Sequence, residues 1–139
     1  TTDVACGLDG RLLAVVSRKR IEVRSGEVSK GVTVHDPVIH DACVRLAKAF
    51  RPKGQITVQC LLKEGAPFFT EINARFGGGA PLGIEAGCDL PRWLLAEAAG
   101  LPVDAPPLGA YRVGLFMTRC DESFFLSETD LGRIERGPV

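Results

Sequence analysis

The sequence contains no apolar run that approaches the roughly 20 residues needed for a membrane-spanning helix. It also has no excess of charge of one sign, because 17 basic residues are balanced by 17 acidic ones. A nucleic-acid-binding domain usually carries a clear basic excess on one face. We therefore expect a cytoplasmic protein that has neither a membrane nor a nucleic acid as its partner.

The cysteines lack the spacing of a metal site or of a disulfide framework. There are five of them, an odd number, and none forms a Cys-x-x-Cys pair. We expect small buried thiols at these positions. The phosphate-loop pattern Gly-x-x-x-x-Gly-Lys-Ser/Thr and the dinucleotide pattern Gly-x-Gly-x-x-Gly are both missing, which excludes the two nucleotide-binding folds that these patterns mark.

The 139 residues suffice for one domain with a proper core and are too few for two ordinary domains. Hydrophobic residues make up 45% of the chain, which is typical of a globular protein. Because the chain begins without Met and directly in strand-like sequence, we expect it to be a fragment of a longer protein.

Two segments before residue 55 have clear structural signals. Apolar runs at 2–5 and 12–16 flank the Asp-Gly of 7–10, which predicts a β-ribbon. Asp36 followed by Pro37 predicts the start of a helix. The buried stripe of that helix is predicted to consist of Ile39, Cys43, Leu46 and Phe50. Further along, we expect a helix capped by Asp89 and a final strand over 111–118.

A second hairpin is predicted from strands at 55–62 and 68–73. A connection of either three or five residues has Gly65 at its centre, and both lengths place Gln59 directly opposite Glu71. A slip of one residue would move Gln59 to the other face. That other face is expected to supply core residues, namely Val58, Cys60, Leu62, Phe68 and Ile72.

The run from Glu71 to Gly79 combines the residue types of a metal and phosphate site. Side chains two apart in a strand share a face, so Glu71, Asn73 and Arg75 point the same way. Magnesium prefers hard oxygen ligands and is usually held by one or two carboxylates together with substrate phosphates. The three glycines at 77–79 let backbone amides approach the same anion. Taken singly, each residue is better explained as part of a half-solvated strand or a flexible turn, and only the combination on one face favours the metal and phosphate site.

Together with the strand Gly54–Gln59, the run Glu71-Ile72-Asn73-Ala74-Arg75 and its glycines resemble the metal-binding end of the ATP-grasp enzymes. The nearest likeness is to the carbamoyl-phosphate synthase large-chain branch, and it covers residues 1 to about 100. The resemblance implies an α+β fold, an antiparallel sheet with flanking helices on one side. It also implies part of the lid subdomain at 1–35 and a C-terminal metal-binding subdomain at 36–139.

The activity implied by this resemblance is an ATP-dependent ligase reaction in which a small carboxylate substrate forms an acylphosphate that an amine or similar nucleophile captures. ATP and Mg²⁺ or Mn²⁺ are the implied cofactors. The metal ligands would be Gln59, Glu71 and Asn73, and Arg75 would stabilise the transferring phosphoryl group as the catalytic residue.

Other residues are predicted to contact the nucleotide. Arg18 and Arg20 share a strand face and are candidates to line the cleft, although a solvated strand face explains them somewhat better. Lys30, beside a glycine in a loop, is expected to reach a phosphate or a substrate carboxylate. Gly77 and Gly78 complete the predicted nucleotide-binding set.

The chain also departs from a whole ATP-grasp enzyme. The N-terminal domain, the glycine-rich lid loop and the adenine-binding hinge would all precede Thr1. We therefore expect the metal half of an ATP site that does not turn over alone and needs the missing domains in cis. The alternative is a non-catalytic module that packs against a partner domain. An open sheet edge makes a homodimer a further expectation.

Overall fold

The computed structural model of the chain describes residues 1–130, so the end of the predicted 36–139 subdomain lies outside the described residues. The strands are β1 (Thr2–Cys6), β2 (Leu12–Arg24), β3 (Glu27–Val34), β4 (Gly54–Lys63), β5 (Ala66–Asn73) and β6 (Phe116–Thr118). The helices are α1 (Pro37–Phe50), α2 (Ala80–Glu85) and α3 (Leu90–Ala98).

The six strands form one antiparallel sheet in the order β5-β4-β1-β2-β3-β6. The first strand of the chain is therefore near the centre, where Thr2 lies between Ser17 of β2 and Val58 of β4. The predicted β-ribbon is confirmed by the pairing of β1 with β2. The division of the chain at residue 35 stays a prediction, and the segments on either side of it contribute strands to the same sheet.

Helix α1 covers one face of the sheet. The Asp36 carboxylate accepts hydrogen bonds from the amides of Val38 and Ile39 at 2.9 and 3.1 Å, which caps the first turn as predicted. Ile39 and Cys43 are buried against β1, β2 and β4. The prediction for Phe50 is wrong, because the buried positions of α1 end one turn before the helix does and the Phe50 side chain is 72% exposed.

Helices α2 and α3 cover the opposite face, so the expectation of helices on one side only is wrong. A second core cluster contains Trp93 and Leu90 of α3 together with Ala5 of β1, whereas the neighbouring Val4 belongs to the α1 cluster. Successive strand residues point to opposite faces, so β1 is buried on both. The predicted α+β class, an antiparallel sheet with flanking helices, is confirmed.

The β4–β5 hairpin has the predicted pairing at the site but a different turn. Its loop is the two residues Glu64 and Gly65, both with positive φ, rather than a connection centred on Gly65. A two-residue turn alone would shift the register by one position. A bulge between Gln59 and Cys60, with Thr70 as the extra residue on β5, restores it. Gln59 therefore pairs with Glu71, as predicted.

The outer half of this hairpin is exposed. Val58 is buried as predicted, but Leu62, Phe68 and Ile72 are about half exposed. The prediction of a continuous core face is wrong because β5 is an edge strand and none of these side chains belongs to either core cluster.

The segment before β6 is less regular than the predicted strand over 111–118. Strand β6 spans only Phe116–Thr118. The preceding residues are tied to β3 by side chains, because the Tyr111 hydroxyl donates to the Val34 carbonyl at 2.6 Å and the Leu115 amide donates to Thr33 Oγ1 at 2.9 Å.

The five cysteines are free thiols, as expected from their spacing. Cys6, Cys43 and Cys88 are buried, and burial raises the pKa of each of these thiols to about 11. Cys60 is half-buried and Cys120 is exposed, so the expectation of a buried thiol is wrong for Cys120. In the described part of the chain, no helix has the length and apolar character to cross a membrane.

Candidate functional site

A cavity of about 70 Å³ lies on the sheet face that α2 and α3 cover. Strands β2, β4 and β5 and the glycine loop at 77–79 form its walls. Seven of the predicted site residues line it: Arg18, Arg20, Gln59, Asn73, Arg75, Gly77 and Gly78. The structure therefore brings together residues that are up to 60 positions apart in the sequence.

The predicted metal ligands share one face beside this cavity. Gln59 Nε2 donates to Glu71 Oε2 at 2.6 Å across the β4–β5 pair. Asn73, two residues further along β5, pairs with Thr57. Glu71 is exposed and adjoins the cavity through Gln59 rather than lining its wall. The arrangement presents one carboxylate and two amides to the same volume of solvent.

The structure contains no conventional metal cluster among its described residues. Within residues 1–130, no three His, Cys, Asp or Glu side chains converge in a way that could hold an ion. The predicted set includes only one carboxylate, so any divalent cation at this position would need oxygen ligands from a bound molecule. Magnesium commonly binds in that way.

Arg18 is buried beneath the cavity and ion-paired. Its Nε and Nη2 donate to the two carboxylate oxygens of Asp3, each at 2.7 Å. Arg18 is only 4% exposed and Asp3 only 5%. This bidentate pair fixes the plane of the guanidinium and turns Nη1 towards Gly79.

The glycine loop is packed closely against these groups. A Cβ at Gly79 would overlap Arg18 Nη1, and a Cβ at Gly77 would lie 3.0 Å from Thr57 Oγ1. Neither glycine has a positive φ, so close approach rather than backbone conformation requires glycine here. The Thr57 hydroxyl lies 3.1 Å from the Arg75 carbonyl oxygen and 3.3 Å from Asp3 Oδ1. Thr57 thus joins the loop to the buried ion pair.

Two further arginines reach the cavity from its rim. Arg20 and Arg75 are exposed residues that line the wall, and Arg75 Nη1 donates to the Phe76 carbonyl at 3.1 Å. Glu27 also lines the wall, and its carboxylate lies 3.4 Å from Arg119. Within the described residues, three guanidinium groups and one carboxylate line the cavity. The Asp3 carboxylate offsets the charge of Arg18, so the walls have a small net positive charge.

Lys30 lies elsewhere. Its Nζ donates to Glu22 Oε2 at 2.7 Å, and Ser29 donates to the other oxygen of that carboxylate at 2.9 Å. The hydrogen bonds from Lys30 and Ser29 lower the pKa of Glu22 to about 2. Gly31, not Lys30, pairs with Arg20, and successive strand residues point to opposite faces, so Lys30 is not part of the cavity wall.

Sequence reasoning missed Asp3, Thr57 and Glu27. A carboxylate inside the strand Thr2–Cys6, which is buried on both faces, was a usable signal, because a buried charge needs a partner. Thr57 could also have been found, since it lies two residues before Gln59 on the same strand face. Glu27 reaches the site only through the fold of the β2–β3 turn, which no local pattern indicated.

Comparison with known proteins gives one family. No curated protein matches the chain significantly. The family model described as "ATP-grasp in the biosynthetic pathway with Ter operon" matches residues 1–115. The match supports the ATP-grasp part of the resemblance and does not support the carbamoyl-phosphate synthase branch. Since the matched region includes both core clusters and every residue that lines the cavity, the chain belongs to this ATP-grasp family.

Proposed function

We propose that this chain supplies the magnesium and phosphate end of an ATP-binding cleft. In this proposal Glu71, Asn73 and Gln59 hold Mg²⁺ or Mn²⁺ that is bound together with ATP, and the cavity beneath them receives phosphate oxygens. The reaction is ATP-dependent ligation of a small carboxylate. ATP-grasp domains are usually ligases, and membership of that family is the wider support for the proposal.

The single observation that carries the proposal is the common face of β4 and β5. Gln59 and Glu71 are in contact at 2.6 Å, and Asn73 follows on the same face above a cavity with positively charged walls. A half-solvated strand face does not require a buried arginine and a close-packed glycine loop beneath it. The combination favours a site over a chance alternation of polar residues.

The donor set fits a hard divalent cation that is shared with phosphate. One carboxylate and two amide oxygens provide too few protein ligands for a cation bound by the protein alone, and phosphate oxygens would complete the set. When bound, the cation would neutralise the charge that develops on the phosphates. The Gln59 amide now directs its NH₂ group to Glu71, and rotating the amide would present its oxygen instead.

Arg75 is the residue that we propose to act on the transferring phosphoryl group. Among residues 1–130, Nη1 is the one Arg75 donor with an acceptor, the Phe76 carbonyl, which leaves its other donors to bind phosphate oxygens. Such a group stabilises the charge of the transition state without forming a covalent bond. We propose that the substrate carboxylate attacks the γ-phosphate and forms an acylphosphate. The reason is the likeness of residues 54–59 and 71–75 to the carbamoyl-phosphate synthase branch.

The size of the cavity supports a partial site. Small-molecule sites usually have volumes of about 300–1,000 Å³, whereas this cavity has about 70 Å³. It is suited to a phosphate group and is too small for a whole nucleotide. We propose that ATP-grasp domains in cis bind the rest of ATP and that the chain alone does not complete the reaction.

Calorimetric titration with Mg²⁺ and ATP tests this function. The informative variant is Glu71→Gln, which removes the carboxylate and keeps its shape. Glu64→Gln is the matched control, because Glu64 belongs to the same hairpin but lies at its turn. We expect Glu71→Gln to weaken Mg·ATP binding about tenfold or more, as loss of a ligand charge should, and Glu64→Gln to leave it unchanged.

Equal affinities for the wild type, Glu71→Gln and Glu64→Gln would refute the metal site. That result would favour the rival, a non-catalytic module whose exposed hairpin packs against another domain or a second copy through the open β5 edge. Static light scattering on the same samples would detect the dimer.

A further inference from the structure

We infer that Asp3 is a positioning residue, which holds Arg18 so that its Nη1 is presented as a fixed donor to a phosphoryl oxygen in the cavity. The ligand class is a phosphate-like oxyanion. The inference rests on the proposed phosphate end of the site. It adds a role for Asp3, which acts only through Arg18. It also gives Arg18 a function as a fixed donor that the exposed arginines at the rim do not share.

The hydrogen bonds of the guanidinium determine which donors remain. Nε and Nη2 are both committed to Asp3, each at 2.7 Å. Within residues 1–130, Nη1 has no hydrogen-bond acceptor, although Arg18 lines the cavity. Arg18 is 96% buried, lines a cavity and has N–H groups without a protein acceptor, so the groups that satisfy those donors must come from the cavity. This makes it suited to bind an anion.

The packing keeps the guanidinium in place. Thr57 Oγ1 lies 3.3 Å from Asp3 Oδ1, and the loop residue Gly79 lies directly against Nη1. A bidentate arginine–carboxylate pair is rigid in both distance and plane. Arg18 therefore offers a donor whose direction is set before a ligand arrives, whereas the exposed Arg20 and Arg75 must be ordered on binding.

The positioning role and a simple charge effect predict opposite signs for one substitution. Asp3 carries a negative charge near the proposed anion, so on charge alone Asp3→Asn would strengthen anion binding. If Asp3 instead orients Arg18, the same change weakens binding. An asparagine can accept from one arginine nitrogen and would direct its own NH₂ group at the other.

Metal-free pyrophosphate, titrated with EDTA present and followed by ³¹P NMR, is the probe. We expect Asp3→Asn to bind pyrophosphate about tenfold more weakly than the wild type, the loss of roughly one charge-assisted hydrogen bond. Arg18→Lys should lose as much, and adding Asp3→Asn to Arg18→Lys should cause no further loss. Asp36→Ala is the control: it destabilises α1 on the other face by removing its cap and should leave the affinity unchanged.

Should Asp3→Asn fail to fold, Gly79→Ala tests the Nη1 donor in its place, because its methyl group would occupy the approach to Nη1 while both members of the ion pair remain. Unchanged or tighter pyrophosphate binding by these variants would overturn the inference, as would a wild type that binds no pyrophosphate. Failure of the metal proposal looks different, because Glu71→Gln would then leave Mg·ATP binding unchanged while Asp3→Asn still weakened pyrophosphate binding.

Discussion

Replacing Gly79 with alanine should destabilise the protein far more than replacing Gly78. The backbone permits alanine at both positions, since neither glycine has a positive φ. The difference lies in what the added Cβ would meet. At Gly79 it would overlap Arg18 Nη1 and lie 2.8 Å from Cζ and 3.0 Å from Val28 Cγ1, whereas at Gly78 the three nearest atoms all belong to the Glu27 carboxylate.

The loss of unfolding free energy in each variant depends on how easily the side chain beside the new methyl group can move. The Glu27 side chain is 57% exposed, so it can rotate away. We therefore expect a cost below about 1 kcal/mol for Gly78→Ala. Arg18 is buried and bonded twice to Asp3, and separating a buried ion pair costs about 3–5 kcal/mol. Shifting the loop is the cheaper response, at about 1–3 kcal/mol for an overpacked contact. We expect Gly79→Ala to cost about 2 kcal/mol.

Urea unfolding of the two variants, followed by circular dichroism, measures the difference. With a slope of about 2 kcal/mol/M, the midpoint for Gly79→Ala should fall by about 1 M with the slope unchanged. In an Arg18→Lys background the cost of Gly79→Ala should shrink, because the planar guanidinium is gone. Equal midpoints for Gly78→Ala and Gly79→Ala would refute the close packing of Arg18 against the loop.

Two further predictions concern the frame around the site. Glu64 holds φ at 52° in a two-residue turn, so Glu64→Asn should stabilise the protein by about 0.5–1 kcal/mol in thermal unfolding, while Gly65→Ala, at φ 79°, should destabilise it. Tyr111→Phe should cost about 1 kcal/mol through loss of the 2.6 Å bond to Val34. Burial raises the pKa of Tyr111 above its ordinary value of 10, so the stability linked to its neutral form is complete below pH 10 and is lost as pH rises through the folded pKa. Urea midpoints between pH 9 and 11 should therefore fall less steeply for Tyr111→Phe than for the wild type.

The parts of the fold that sequence predicted were those with local signals. Asp36 followed by Pro37 marks a helix start by its own chemistry, and the alternation from Gln59 to Asn73 indicates which side chains share a face. The exposure of Phe50 and Leu62 was not predictable in the same way. Burial at those positions depends on how far α1 and the hairpin extend beyond the elements that cover them.

The same distinction holds for the site: contacts within the hairpin could be predicted, and contacts between distant segments could not. Gln59 and Glu71 could be paired from the hairpin alone, although the actual turn has two residues and the bulge at Thr70 compensates for it. The partnership of Asp3 with Arg18 joins two neighbouring strands diagonally across their pairing, and its relation to Gly79 depends on where α2 packs. Such contacts are long-range consequences of the sheet order, which no local spacing contains.

The bulge at Thr70 separates the tip of the β4–β5 hairpin from its base. Between Thr70 and the tip, the turn determines which face each β5 side chain points to. Beyond Thr70, on the side of the site, the pairing of β5 with β4, and of β4 with β1, determines it. A change in the turn can therefore be absorbed at Thr70 without inverting Glu71 and Asn73. This makes the hairpin tip a suitable place to attach a fluorophore or a short peptide that reports on the site without rebuilding it.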